Sequence, residues 1–101
     1  MSALPAALLT ALALAGCAFV PQKNLRLDEA MLDYQSAASE PRVAQLAAGE
    51  LAVAREILDR AVAARNTLQD VAEVDHLAYL ARQRVAISRE AAIQRALARQ
   101  P

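Results

Sequence analysis

The chain has 101 residues, no net charge and 56% apolar residues, so it holds one small domain at most and lacks the basic surplus that nucleic-acid binding needs. A single Cys leaves no disulfide framework, a single His leaves no multi-ligand zinc set, and one Phe with two Tyr leave too few rings for base stacking.

No charged side chain precedes Lys23. Leu4 to Ala15 is mostly Leu and Ala, interrupted by Pro5 and Thr10. A secretory signal needs an apolar core of about 7–15 residues followed by small residues at the cut. A spanning helix needs about 20 strongly apolar residues, and the alanines here contribute little transfer free energy.

The segment closes on Leu14-Ala15-Gly16-Cys17, which resembles the lipobox of bacterial lipoproteins. The resemblance implies that the Cys17 thiol receives a diacylglyceryl group, that residues 1–16 are removed, and that residues 17–26 form a lipidated tether. Ala18 stands where an aspartate would retain an enteric-type lipoprotein in the inner membrane, which implies an outer-membrane anchor facing the periplasm. Two or more acyl chains hold a protein firmly to a bilayer. One feature departs from the signal pattern: no Lys or Arg precedes the apolar core, while Lys23 and Arg26 follow it. In an uncleaved inner-membrane anchor those two cations would favour a cytoplasmic C-terminal part.

After the signal the composition is rich in Ala, Leu, Arg, Glu and Gln, all good helix formers, and no alternating strand pattern occurs. The expected fold is all-α, a small antiparallel helical hairpin or three-helix bundle over residues 27–100. The first helix is expected over about 27–38, with the stripe Leu27, Ala30, Met31, Tyr34 and Ala38, stopped by Ser39-Glu40-Pro41. The second is expected over about 41–68, kinked or split at Gly49, with the stripe Val43, Ala47, Leu51, Ala54, Leu58, Ala61 and Leu68. Leu46, Val53, Ile57 and Ala64 widen its apolar face. Asp70 caps the third, expected over about 71–99, with a stripe through Val74, Leu77, Ala78, Ala81, Val85, Ser88, Ala92 and Ala96. Leu80, Ile87, Ile93 and Leu97 broaden it.

A short turn makes the last two helices antiparallel neighbours. The register expected from apolar and charge matching sets Leu58 near Leu80 and Leu51 near Ile87. It pairs Glu56 with Arg82, Glu50 with Arg89, and Arg65 with Glu73.

Glu40-Pro41-Arg42-Val43, Glu50-Leu51-Ala52-Val53-Ala54-Arg55 and His76-Leu77-Ala78-Tyr79-Leu80-Ala81-Arg82-Gln83-Arg84 resemble, together with the lipobox, a lipoprotein helical domain of unknown function numbered 4398. The resemblance covers about Leu25 to Arg99 and implies a cell-envelope role in Gram-negative bacteria. Members of that family often carry a following OmpA-like domain that holds peptidoglycan. No such domain is expected before Pro101, so peptidoglycan binding is not carried over.

Candidate sites are few. His76 beside Asp75 points away from it and reads as a surface residue rather than a base or ligand. Tyr34 and Tyr79 lie in or beside apolar stripes and read as packing aromatics, with Tyr79 also a candidate partner contact. Arg82, Arg84, Arg89, Arg95 and Arg99 form a basic last stretch that either pairs with the second helix or meets lipid headgroups and envelope polymer. No catalytic, cofactor or metal residues are expected, nor a small-molecule substrate, since thin bundles rarely enclose a pocket. The expected function is a non-enzymatic, periplasm-facing envelope lipoprotein. Its partners are the membrane, through the lipid, and another envelope protein or a second copy of itself.

Overall fold

The computed structural model describes residues 23–67 and 70–100, and the lipobox and Leu68 lie outside the described residues. The described chain is all-α: α1 (Leu25–Ala38), α2 (Pro41–Leu46), α3 (Ala48–Asn66) and α4 (Val71–Ala98). Together they make an up-down-up three-helix bundle, in which α2 and α3 share the descending limb. α1 runs parallel to α4, because Arg26 meets Asp75 at one end and Glu40 meets Arg89 further along. α3 runs antiparallel to α4, because Glu50 meets Arg95 while Ala64 clusters with Val74 at the opposite end.

The helix ends have local causes. α1 starts at Leu25, two residues before the sequence-based expectation. Asn24 caps it, accepting from the Leu27 N–H at 2.9 Å, and Asn24 Nδ2 donates to Asp75 at 3.0 Å. Pro41 opens α2 at the first-turn position that needs no N–H. Asp70 caps α4 as expected, accepting from the Ala72 N–H at 3.2 Å.

The descending limb is split, but not at Gly49. The break falls at Ala47, whose φ of −132° and ψ of 34° leave the helical region. Gly49 lies inside α3 with open space where a Cβ would stand. The interruption is held from outside: Arg95 Nη1 donates to the Leu46 carbonyl and to Glu50 Oε1, both at 2.6 Å. Ala47 itself is fully buried, so the step keeps α2 and α3 on one continuous core face.

That core is a seam of small side chains. Val74, Ala78, Ala81, Val85, Ser88 and Ala92 are buried on α4 at alternating steps of four and three. Leu51, Ala54, Leu58 and Ala61 repeat the pattern on α3. Such a 3.5-residue repeat is that of a left-handed coiled coil. Its lower half joins Leu27, Ala30, Leu58 and Ala61 to Val74, Ala78 and Ala81, and its upper half joins Ala37, Val43, Leu51 and Ala54 to Val85 and Ala92. Leu58 therefore sits near Ala78 and Ala81, and Leu51 near Val85, while Ile87 stays exposed. The expected register holds to within about a turn; the inward-facing residues are the alanines and valines of the heptad, not Leu80 and Ile87.

Candidate interaction surface

Two features of the bundle bear on function: a ladder of charges between α1 and α4, and an open face on the opposite side.

On α4, Asp75, Arg82 and Arg89 are seven residues apart, and so are Arg26 and Asp33 on α1 and Glu40 just beyond its end. Two parallel helices bring such positions together along one flank. Arg26 pairs with Asp75 at 3.6 Å. Arg82 reaches Glu29 at 3.6 Å and Asp33 at 3.8 Å. Arg89 donates to Asp33 at 2.9 Å and to Glu40 at 3.4 Å. The sign of charge reverses along each helix, so a slip of one heptad would oppose like charges. The hydrogen bond that Arg89 donates to Asp33 raises the Arg89 pKa above the ordinary arginine value, against an opposing effect of burial.

The expected ion pairs are corrected by this arrangement. Glu56–Arg82, Glu50–Arg89 and Arg65–Glu73 do not form among the described residues. α1 occupies the flank that holds Arg82 and Arg89, so its acids take both. Glu56 faces solvent and accepts instead from Arg60, at 3.0 Å. Glu50 is taken by Arg95, whose hydrogen bond lowers the Glu50 pKa. Arg65 places a buried Nε with no hydrogen-bond partner near the end of α3. The ladder's signal was present in the sequence as the shared seven-residue spacing.

The five arginines singled out by composition thus divide. Arg82, Arg89 and Arg95 are engaged by acids, whereas Arg84 and Arg99 have no ion-pair or side-chain hydrogen-bond partner among the described residues. Tyr79 is 59% exposed, and its hydroxyl accepts from Gln83 at 2.8 Å; it does not pack as a core aromatic. Tyr34 does pack, against both core clusters, with the Arg55 guanidinium 5.8 Å from its ring centre. His76 is exposed. Among the described residues no group of three or more His, Cys, Asp or Glu converges to hold a metal ion, and no helix is long and apolar enough to cross a membrane.

The open face lies where α3 and α4 turn away from α1. Residues of α3 that border α1 are Arg55, Leu58, Asp59 and Val62. One hundred degrees of rotation per residue puts Val53 and Ile57 on the other flank, and likewise Leu80 and Ile87 on α4. Val53 is 41% exposed, Ile87 is 46% exposed, and Ile57 and Leu80 are half-buried. At the foot of this face, a cleft between Ala64, Thr67, Glu73 and Leu77 opens to solvent. Arg84 stands on it between Leu80 and Ile87.

No curated protein and no solved structure matches the chain. A family profile described as "Domain of unknown function (DUF4398)" matches residues 25–101, the stretch that begins with the first residue of α1. The chain belongs to that family.

Proposed function

We propose that this chain is a lipid-anchored protein of the bacterial envelope, whose bundle is a non-enzymatic interaction module facing the periplasm. The observation that carries the reading is the lipobox Leu14-Ala15-Gly16-Cys17 set so close before a folded helix. Seven residues separate Cys17 from Leu25, a reach of at most about 29 Å. A bundle so tethered stays against the bilayer with the Asn24 end towards it.

The internal chemistry supports binding rather than catalysis. Arg26–Asp75, Arg89–Asp33 and Arg95–Glu50 tie one helix to another, and the seam between α3 and α4 is filled by Ala, Val and Leu side chains. Docking through apolar surface is favoured over headgroup binding by the arginines. α4 runs parallel to α1, so Arg95 stands about 36 Å along the helix from Val71. It therefore points away from an anchored end.

Metabolic labelling with a clickable fatty acid tests the anchor. Label is expected in the wild-type chain and absent from Cys17→Ser. An unlabelled wild-type protein that keeps its leader would refute the reading and favour the uncleaved inner-membrane anchor.

A further inference from the structure

The outer ridge of α1 carries two leucines that the bundle leaves unused. Leu25 is 69% exposed and Leu32 is 67% exposed, and Asp28 lies between them on the same ridge. Asp28 has no ion-pair or side-chain hydrogen-bond partner among the described residues. On the opposite side of the molecule, the open face presents the complementary set. Leu80 and Ile87 are seven residues apart, as Leu25 and Leu32 are, and Arg84 lies between them with no ion-pair or side-chain hydrogen-bond partner among the described residues. Each element alone is an incomplete heptad seam. Together they supply apolar against apolar and carboxylate against guanidinium at matching spacing.

We infer that a second copy of this chain is the occupant of the open face: α1 of one copy docks by Leu25, Asp28 and Leu32 into the α3–α4 groove of the next, as a fourth helix. Symmetric pairing of two open faces is disfavoured by Arg84, because a parallel two-fold brings the two Arg84 side chains level with each other in the apolar groove. Pairing ridge to groove removes that conflict. The two surfaces lie on opposite sides of the bundle, so the contact is head-to-tail and propagates into a row instead of closing as a dimer. The parallel sense, with Leu25 against Leu80 and Leu32 against Ile87, rests on the anchored reading above, because it keeps every tether on the same side. α1 is about 21 Å long, so each contact is smaller than a standard interface of about 800 Å² per partner. Membrane tethering, which raises the effective concentration, suits so small a contact.

Disulfide cross-linking of the full-length chain in isolated membranes tests this. The double variant Leu32→Cys with Ile87→Cys, oxidised with copper phenanthroline, is expected to give a ladder of covalent oligomers. Either substitution alone is expected to give none. Adding Arg84→Glu is expected to abolish the ladder, and Asp28→Arg together with Arg84→Glu to restore it. Cross-links in either single variant, a ladder formed by Leu32→Cys with Leu80→Cys in place of Ile87→Cys, or no ladder at all would each overturn the inference. Circular dichroism confirms that each variant keeps its helices. The same variants in detergent at high protein concentration, with and without Cys17→Ser, separate the two proposals. A ladder there from protein that keeps Cys17 yet carries no fatty-acid label sinks the anchor and leaves the contact standing.

Discussion

Arg89 on α4 donates from Nη1 to Asp33 on α1 at 2.9 Å, across 56 residues of sequence. Asp33 also takes a second guanidinium, Arg82, at 3.8 Å, so one carboxylate joins two rungs of the α1–α4 ladder. Asp33→Ala leaves both arginines short of an acid on a flank where Arg89 is two-thirds buried. The expected cost is about 1–2 kcal/mol, more than an exposed pair is worth. Asp33→Asn is expected to cost less, because the amide still accepts a hydrogen bond. Urea unfolding of the three proteins measures both, and an unchanged midpoint for Asp33→Ala would show that the ladder contributes nothing.

Gly49 sits inside α3, one residue past its start, with nothing near its missing Cβ. Glycine in a helix costs about 0.5–1 kcal/mol relative to alanine. Gly49→Ala is therefore expected to raise the unfolding free energy by that amount, and the urea midpoint with it, without altering the break at Ala47. A loss of stability would mean that the break needs the freedom of this residue after all.

Ala54, Ala61 and Ala81 are fully buried where α3 meets α4. A branched side chain at any of them would push the helices apart. Ala81→Leu is expected to destabilise by about 1–3 kcal/mol despite adding apolar surface. Ser88 is the polar member of the same seam, with its hydroxyl donating to the Val85 carbonyl at 2.6 Å. Ser88→Ala is expected to be neutral or stabilising by up to about 1 kcal/mol, since that carbonyl already lies within the helix ladder. Thermal melts of the two variants should move in opposite directions or, at most, leave Ser88→Ala unmoved.

Acid weakens the bundle through Glu50. The hydrogen bond from Arg95 holds this carboxyl below the usual carboxylate range. A depressed carboxyl adds stability above its unfolded value of about 4.3, and that stability is lost as pH falls through the lower folded value. Arg89 and Arg95 are shifted upward, so their contribution is present at every pH below the ordinary arginine range and is lost only above it. Stability is expected to stay level from neutral pH to about 5 and to fall below that. Glu50→Gln is expected to lose less on acidification than the wild-type chain. Equal acid losses would place the sensitivity elsewhere.

The helices, their order and most of their inward faces were legible because periodicity reports burial directly. Val74, Ala78, Ala81 and Val85 could be assigned from spacing alone. The ion partners could not, because pairing was sought between the two long helices. Asp33 and Glu40 share the heptad spacing of Arg82 and Arg89, but that spacing alone does not say which flank of α4 the first helix covers. The break at Ala47 escaped for a different reason. Nothing in the local residues marks it, and Gly49 drew attention instead; the cause is remote, in Arg95 reaching back to the Leu46 carbonyl. Tyr79 shows the limit of stripe reading, since a residue beside an apolar row can still face solvent.

The seam of methyl groups has a thermal consequence. Alanine exposes little hydrocarbon when a chain unfolds, and the heat-capacity increment of unfolding follows exposed hydrocarbon. A protein held by Ala30, Ala54, Ala61, Ala78, Ala81 and Ala92 therefore has a small increment for its length. Its free-energy curve is therefore expected to bend less with temperature than that of a leucine-cored bundle of equal length, which pushes cold unfolding further down the temperature scale.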